Sequence, residues 1–203
     1  MIALLVVVSL AQLFLGELVY VRNVFLGRSQ PNRVTFFLWA LVPAIAIAVG
    51  ISVGETWALL PIFMVGFGPF LILIASFFNP KAYWKLGPFD YLCGLFAILA
   101  IVLWVLTKEP AIAVLFSILS DGFAGLPTLV KSWNHPETET GAGYAIAVLN
   151  ALIGIMILRA YDFTHLGFIA YTVCINLSLS IAIYRKNPLH KMRTEYSFIE
   201  EGL

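Results

Sequence analysis

Residues 111–131 read AIAVLFSILSDGFAGLPTLVK, with one carboxylate at the centre and no other charge before the closing lysine. A helix that crosses a bilayer needs about 20 mostly apolar residues, because the hydrocarbon core is roughly 30 Å thick and each residue rises about 1.5 Å. This stretch meets that test, and Pro110 just before it suits a first helical turn. Working outward, six further runs meet it: residues 2–22, 34–53, 57–79, 87–107, 142–159 and 164–184. The breaks fall where helix breakers and charges cluster, at Arg28 to Arg33 around Pro31, Gly54-Glu55, Asn79-Pro80-Lys81, Lys108-Glu109-Pro110, Asn134 to Gly141, and Arg159 to Asp162. Pro88 suits the first turn of the fourth run as Pro110 suits that of the fifth.

Composition points the same way. Hydrophobic residues make up 61% of the 203 residues and charged residues 11%, against roughly 45–50% and about 25% in soluble domains. A water-exposed surface cannot accommodate that excess, so lipid is the expected solvent. Net charge is +1, which gives no basis for a nucleic-acid partner. The reading is an all-α integral membrane protein with seven transmembrane helices, in the plasma (inner) membrane, with a polar tail at 185–203.

Charge gives the orientation. Positive residues collect in cytoplasmic loops. With the N-terminus outside, the inner side holds Arg22, Arg28, Arg33, Lys81, Lys85, Lys131, Arg185, Lys186, Lys191 and Arg193, and the outer side only Lys108 and Arg159. The first run lacks the basic lead and short apolar core of a cleaved signal, so it is read as a span.

Seven helices arise from three, a linker helix and three, which makes the two triplets parallel. The predicted units are a bundle at 1–79, a linker at 80–110, a second bundle at 111–184 and the tail. Residues 16–22 and 27–35 read GELVYVR and GRSQPNRVT; residues 121–131 and 133–140 read DGFAGLPTLVK and WNHPETET. Each half has an intramembrane carboxylate before a basic helix end, then Pro31 or Pro136. A Thr follows each proline by four residues and an aromatic residue by eight, Trp39 or Tyr144.

The chain resembles the SWEET/PQ-loop superfamily of small-solute transporters in its seven helices, its 3+1+3 order and its orientation. The motif that carries the likeness is Leu126-Pro127-Thr128-Leu129-Val130-Lys131, similar to the family's proline pair before a basic residue. Thr128 stands where the family has glutamine, and Tyr20-Val21 replaces the pair in the first half. The third span has no asparagine like the family's sugar-facing one, whereas Asn176 corresponds to its partner in the seventh. The resemblance implies transport by alternating access; it also admits a receptor or assembly protein that binds without transporting.

Intramembrane ionisable groups cost about 2.5–3.5 kcal/mol each on insertion scales and face a cavity or a partner. Asp121, mid-span, and Glu17, nearer the cytoplasmic side, are read as a proton-coupling pair. Ser117, Asp121, Gly125 and Thr128 share one helical face, as do Thr172, Asn176 and Ser180. Solute-binding candidates are Asn176, Asn150, Gln12, Tyr20, Trp39 and Thr128, with Pro43 and Pro127 as hinges. Trp39 also reads as an interface anchor, like Trp84, Trp104 and Trp133. Asp90 in a first turn reads as structural. Cys93, Cys174 and the three histidines have no metal-ligand spacing, and no phosphate loop or nucleophile elbow is present. The expected protein is therefore a carrier with the lipid bilayer and a small polar solute as partners, a homo-oligomer being compatible, and no enzyme, metal or cofactor is expected.

Overall fold

The computed structural model describes residues 2–52, 60–107, 109–156, 158, 160–186 and 188–195. Among these the chain is all-helical, with seven long helices and a short eighth: α1 (Ile2–Phe25), α2 (Arg33–Ser52), α3 (Leu60–Phe78), α4 (Pro88–Leu106), α5 (Pro110–Asn134), α6 (Ala142–Met156), α7 (Phe163–Tyr184) and α8 (Pro188–Glu195). The break at Gly54-Glu55 and the outer charges Lys108 and Arg159 lie outside the described residues.

Local chemistry sets several ends. α1 continues past Arg22 because Gly27, at φ 71°, closes it. The Gly27 amide donates to the Val24 carbonyl at 2.9 Å and the Arg28 amide to the Asn23 carbonyl at 2.8 Å. Such a terminus needs a left-handed residue, which glycine adopts without a Cβ penalty. At the start of α4, Asp90 Oδ2 accepts the Gly87 amide at 2.5 Å, while Oδ1 accepts Asn32 Nδ2 at 2.6 Å. The carboxylate thus fixes α4 to the loop before α2. Asp162 caps α7 by accepting the His165 amide at 3.1 Å. The segment read as a plain tail contains α8, and its Glu195 is 3% exposed.

α3 packs between α1 and α2, and α7 packs between α5 and α6. α1 lies against α6 and α2 against α5, which closes the six helices into a ring, with α4 outside on α5 and α2. One buried cluster centres on Tyr20, Val24, Phe36, Ile72, Tyr144, Leu179 and Ile183; the other on Leu38, Ala97, Ile101 and Ala124. The C-terminal ends of α1, α3, α5 and α7 share one end of the bundle with the loops that follow them and with α8. That end carries the ten basic residues named above, and is termed the basic end.

Among the described residues, three helices, α4, α5 and α7, are long and apolar enough to cross a membrane by length and composition. The outer face of the bundle is apolar: α4 alone exposes Tyr91, Leu92, Leu95, Leu99, Val102 and Leu106. Contiguous apolar surface of this kind needs a non-aqueous environment or a partner.

Candidate functional site

Polar residues are spread through the helices, but their most connected group sits just inside the basic end. There the α1–α2 loop and the α5–α6 loop clasp each other. The Gln30 amide donates to the Thr138 carbonyl at 2.8 Å. Lys131, from the last turn of α5, donates to the Gln30 carbonyl and ion-pairs with Glu139. Both of these side chains are at most 1% exposed. Tyr20 of α1 donates its hydroxyl to the other oxygen of Glu139. Beside this triad, Asn23 Nδ2 donates to Thr140 Oγ1 at 3.1 Å, and Thr140 shares a 2.6 Å hydroxyl bond with Ser29. Across the molecule, Thr128 donates to Thr35 Oγ1 at 2.9 Å, and Thr35 donates to the Ala124 carbonyl at 2.6 Å. A buried ion pair is tolerated when further hydrogen bonds satisfy both partners; here Tyr20 and the Gln30 carbonyl supply them.

Deeper than this layer lies an aromatic cluster. The rings of Trp39 and Tyr144 meet edge to face with centroids 6.3 Å apart, and each also packs on Phe36 or Tyr20. Gly125 leaves room for the indole: a Cβ there would lie 3.0 Å from Trp39 Cζ2. Trp39 therefore lies inside the ring of helices, which corrects its reading as an interface anchor. Its Nε1 is buried without a hydrogen-bond partner among the described residues, as are the Ser120 hydroxyl and both amide atoms of Asn150, while the Tyr144 hydroxyl lies against that of Tyr20. Buried polar groups in folded proteins are nearly always hydrogen-bonded, so this set is unusual.

The two intramembrane carboxyls have separate settings. Asp121 Oδ2 accepts the Tyr171 hydroxyl at 2.7 Å, between α5 and α7. Glu17 is directed at Gly68 of α3, where a Cβ would come within 1.7 Å of its carboxyl carbon, and its Oε2 has no partner among the described residues. Each carboxyl is thus packed against a neighbouring helix, Asp121 on α7 and Glu17 on α3, and not bonded to the other.

The polar stripe on α5 divides among three neighbours: Asp121 meets Tyr171, Gly125 meets Trp39, and Thr128 meets Thr35. Tyr20 and Thr128 belong to the layer at the basic end. Asn176 and Ser180 spend their hydrogen bonds on their own helix, Asn176 Nδ2 on the Thr172 carbonyl and Ser180 on the Asn176 carbonyl. The side chain of Gln12 lies outside the described residues. Pro43 is inside α2 and presses on α3 at Gly66, where a Cβ would lie 2.7 Å from its ring; Pro127 is inside α5. A third interior proline, Pro69 of α3, has no sequence signal that sets it apart. The same holds for Asn23, Glu139 and Tyr171 as functional groups, while Lys131 stood out only as the basic residue that closes the Pro127 motif. For Thr140 there is a hint, since its spacing from Pro136 matches that of Thr35 from Pro31.

Comparisons with protein-family models, with curated proteins and with solved structures find no match to this chain.

Proposed function

We propose that this protein is a seven-span membrane carrier for a small polar solute, built of two parallel three-helix halves joined by α4, with its N-terminus outside and its basic end in the cytoplasm. The observation that carries the reading is a pair of exchanged contacts. Pro136 follows Pro31 by 105 residues, and the same displacement takes Asn23 to Thr128, Thr35 to Thr140 and Trp39 to Tyr144. The Asn23–Thr140 bond and the Thr128–Thr35 bond are therefore one contact, made once by each half on the other. The Trp39–Tyr144 ring pair exchanges with itself. The helix order α1–α3–α2 repeats as α5–α7–α6. Such exchange is what a two-fold rotation between parallel repeats produces, and transporters of that build hold their solute at the repeat interface.

Further support comes from the apolar exterior and the three helices of spanning length. With basic residues on the cytoplasmic side, the Lys131–Glu139–Tyr20 layer is a closed inner gate. The unpartnered groups of Trp39 and Asn150 are the solute's hydrogen-bond partners. Asp121, on Tyr171, is the coupling carboxyl, with Glu17 as a secondary proton site.

A thermal-shift panel of sugars, nucleosides, amino acids and small amides on purified protein identifies a ligand, and counterflow of that ligand in proteoliposomes tests carriage. Exchange is expected. Binding without exchange would make the protein a receptor. Asp121→Asn is expected to keep binding and counterflow but to lose pH-driven uptake; normal pH dependence in that variant would remove the coupling role.

A further inference from the structure

The carrier reading leaves α8 without a task, yet this helix makes bonds to both halves at once. From the first half, Arg28 Nη1 donates to the Thr194 carbonyl at 3.2 Å. From the second, the amides of Gly141 and Ala142 donate to Glu195 Oε1 and Oε2 at 2.8 and 3.2 Å. These amides lie at the start of α6, where donors have no partner within the helix and favour a carboxylate. Tyr184, at the end of α7, donates its hydroxyl to the same Oε2 at 2.7 Å. Lys191 Nζ reaches the Glu137 carbonyl at 3.3 Å and lies 4.0 Å from Glu195 Oε1. Gly141 permits the approach: a Cβ there would lie 2.5 Å from the Tyr184 ring.

Under α8 is a cavity of about 60 Å³, lined by Asn23, Ser29 and Thr140 of the gate layer and by Lys191, Thr194 and Glu195 above them. The residues that join the two halves are thus the floor of a space whose roof is α8. Ser29 and Thr140 are each 1% exposed.

We propose that α8 is a strap, which holds the basic end shut by binding the α1–α2 loop through Arg28 and the start of α6 through Glu195. The proposal rests on the carrier reading, in that the strap regulates the inner gate of that carrier. For the gate to open, Asn23 must part from Thr140, and the loops that bear them must separate. While Arg28 holds one end of α8 and the α6 amides hold Glu195, that separation costs these hydrogen bonds as well. Detached, α8 leaves the loops joined only by their own contacts.

The test is the rate at which a buried thiol under the strap reacts with a membrane-impermeant maleimide. The background is Ser29→Cys with the exposed Cys174 changed to Ser, and Cys93 kept. Cys93 is 4% exposed within the helix bundle, so it reports loss of the fold, and peptide mass spectrometry reads the two sites separately. Removal of residues 188–203, or Glu195→Ala in the full chain, is expected to raise the labelling rate at position 29 about tenfold and leave the Cys93 rate unchanged. Equal rates at position 29 with and without the strap would overturn the proposal. So would a rise shared by Cys93, because α8 would then hold up the whole fold rather than one end. The assay needs no solute, so its failure leaves transport to be decided by counterflow, and failed counterflow leaves the strap result standing.

Discussion

Lys131 and Glu139 show how one buried pair constrains a molecule with so little charge inside. Their side chains are 1% and 0% exposed, and Tyr20 and the Gln30 carbonyl complete their bonding. Removal of one partner strands the other, at a cost of about 3–5 kcal/mol, whereas removal of both into apolar groups of similar size is often near neutral. Lys131→Met should therefore lower the thermal midpoint of the purified protein sharply, and Lys131→Met with Glu139→Leu should recover most of the loss. A double variant less stable than the single one would refute the pairing. A second residue-scale prediction concerns Glu195. Burial pushes its carboxyl above the ordinary value of 4.5, opposed by the bonds from Gly141, Tyr184 and Ala142 and by Lys191. Glu137 and Glu139 of the α5–α6 loop, Lys131 of α5 and Arg28 of the α1–α2 loop are other charges that face α8 among the described residues. Because the docked value is the higher one, docked α8 binds a proton that free α8 has lost, and docking weakens as pH rises from about 4.5 through the raised value. The thiol of Ser29→Cys in the labelling background should react faster at pH 8 than at pH 5, and Glu195→Gln should flatten that dependence. A rate that falls with pH, after correction for thiolate content, would reverse the assignment. Neither carboxylate role was legible in the sequence. Glu137 and Glu139 both look like loop charges, and only the fold turns one of them inward; Glu195 sits in a segment whose polarity suggested nothing but solvent.

At the scale of elements, the sequence was a good guide to helices and a poor one to what joins them. Long apolar runs and the prolines at 88 and 110 locate both ends of α4 and the start of α5 to within a residue, while α5 runs three residues past Lys131. α8 has no sequence signal of this kind, because Leu189 and Met192 among polar and charged neighbours do not make an apolar run. Close helix approach depends on glycines whose role is invisible without a partner. Gly16 of α1 faces Gly143 of α6, and a Cβ on Gly16 would lie 3.1 Å from Gly143 Cα and 2.9 Å from Ile146 Cδ1. A Cβ on Gly143 would instead find its nearest atom 3.8 Å away. Gly16→Val should thus cost about 1–3 kcal/mol through overpacking, and Gly143→Ala should be tolerated, although the two glycines face each other. Thermal unfolding of both variants checks the asymmetry, and equal effects would contradict the packing of α1 on α6.

At the scale of the whole molecule, the echo between Pro31 and Pro136 held more information than any single candidate residue. It matched Thr35 with Thr140 and Trp39 with Tyr144, and all four residues lie where the first three helices meet the last three. What it could not give was the exchange itself, because Asn23 and Thr128 are different residue types and no local pattern links them. The exchange makes a demand on mechanism. If the proposed two-fold rotation relates the halves and they rock about it, the Asn23–Thr140 and Thr128–Thr35 contacts must break in the same movement, since that rotation would exchange them. A link across either one should then block the cycle. Their side-chain atoms lie 3.1 and 2.9 Å apart, so each pair of positions faces across the interface, and a disulfide between cysteines placed there would link the two sides. Asn23→Cys with Thr140→Cys, and separately Thr35→Cys with Thr128→Cys, should each stop counterflow when oxidised and regain it on reduction, in protein lacking Cys93 and Cys174. Counterflow that survives in one oxidised pair while the other blocks it would mean that one half moves against a fixed partner, and the symmetric mechanism would fail even though both contacts are present.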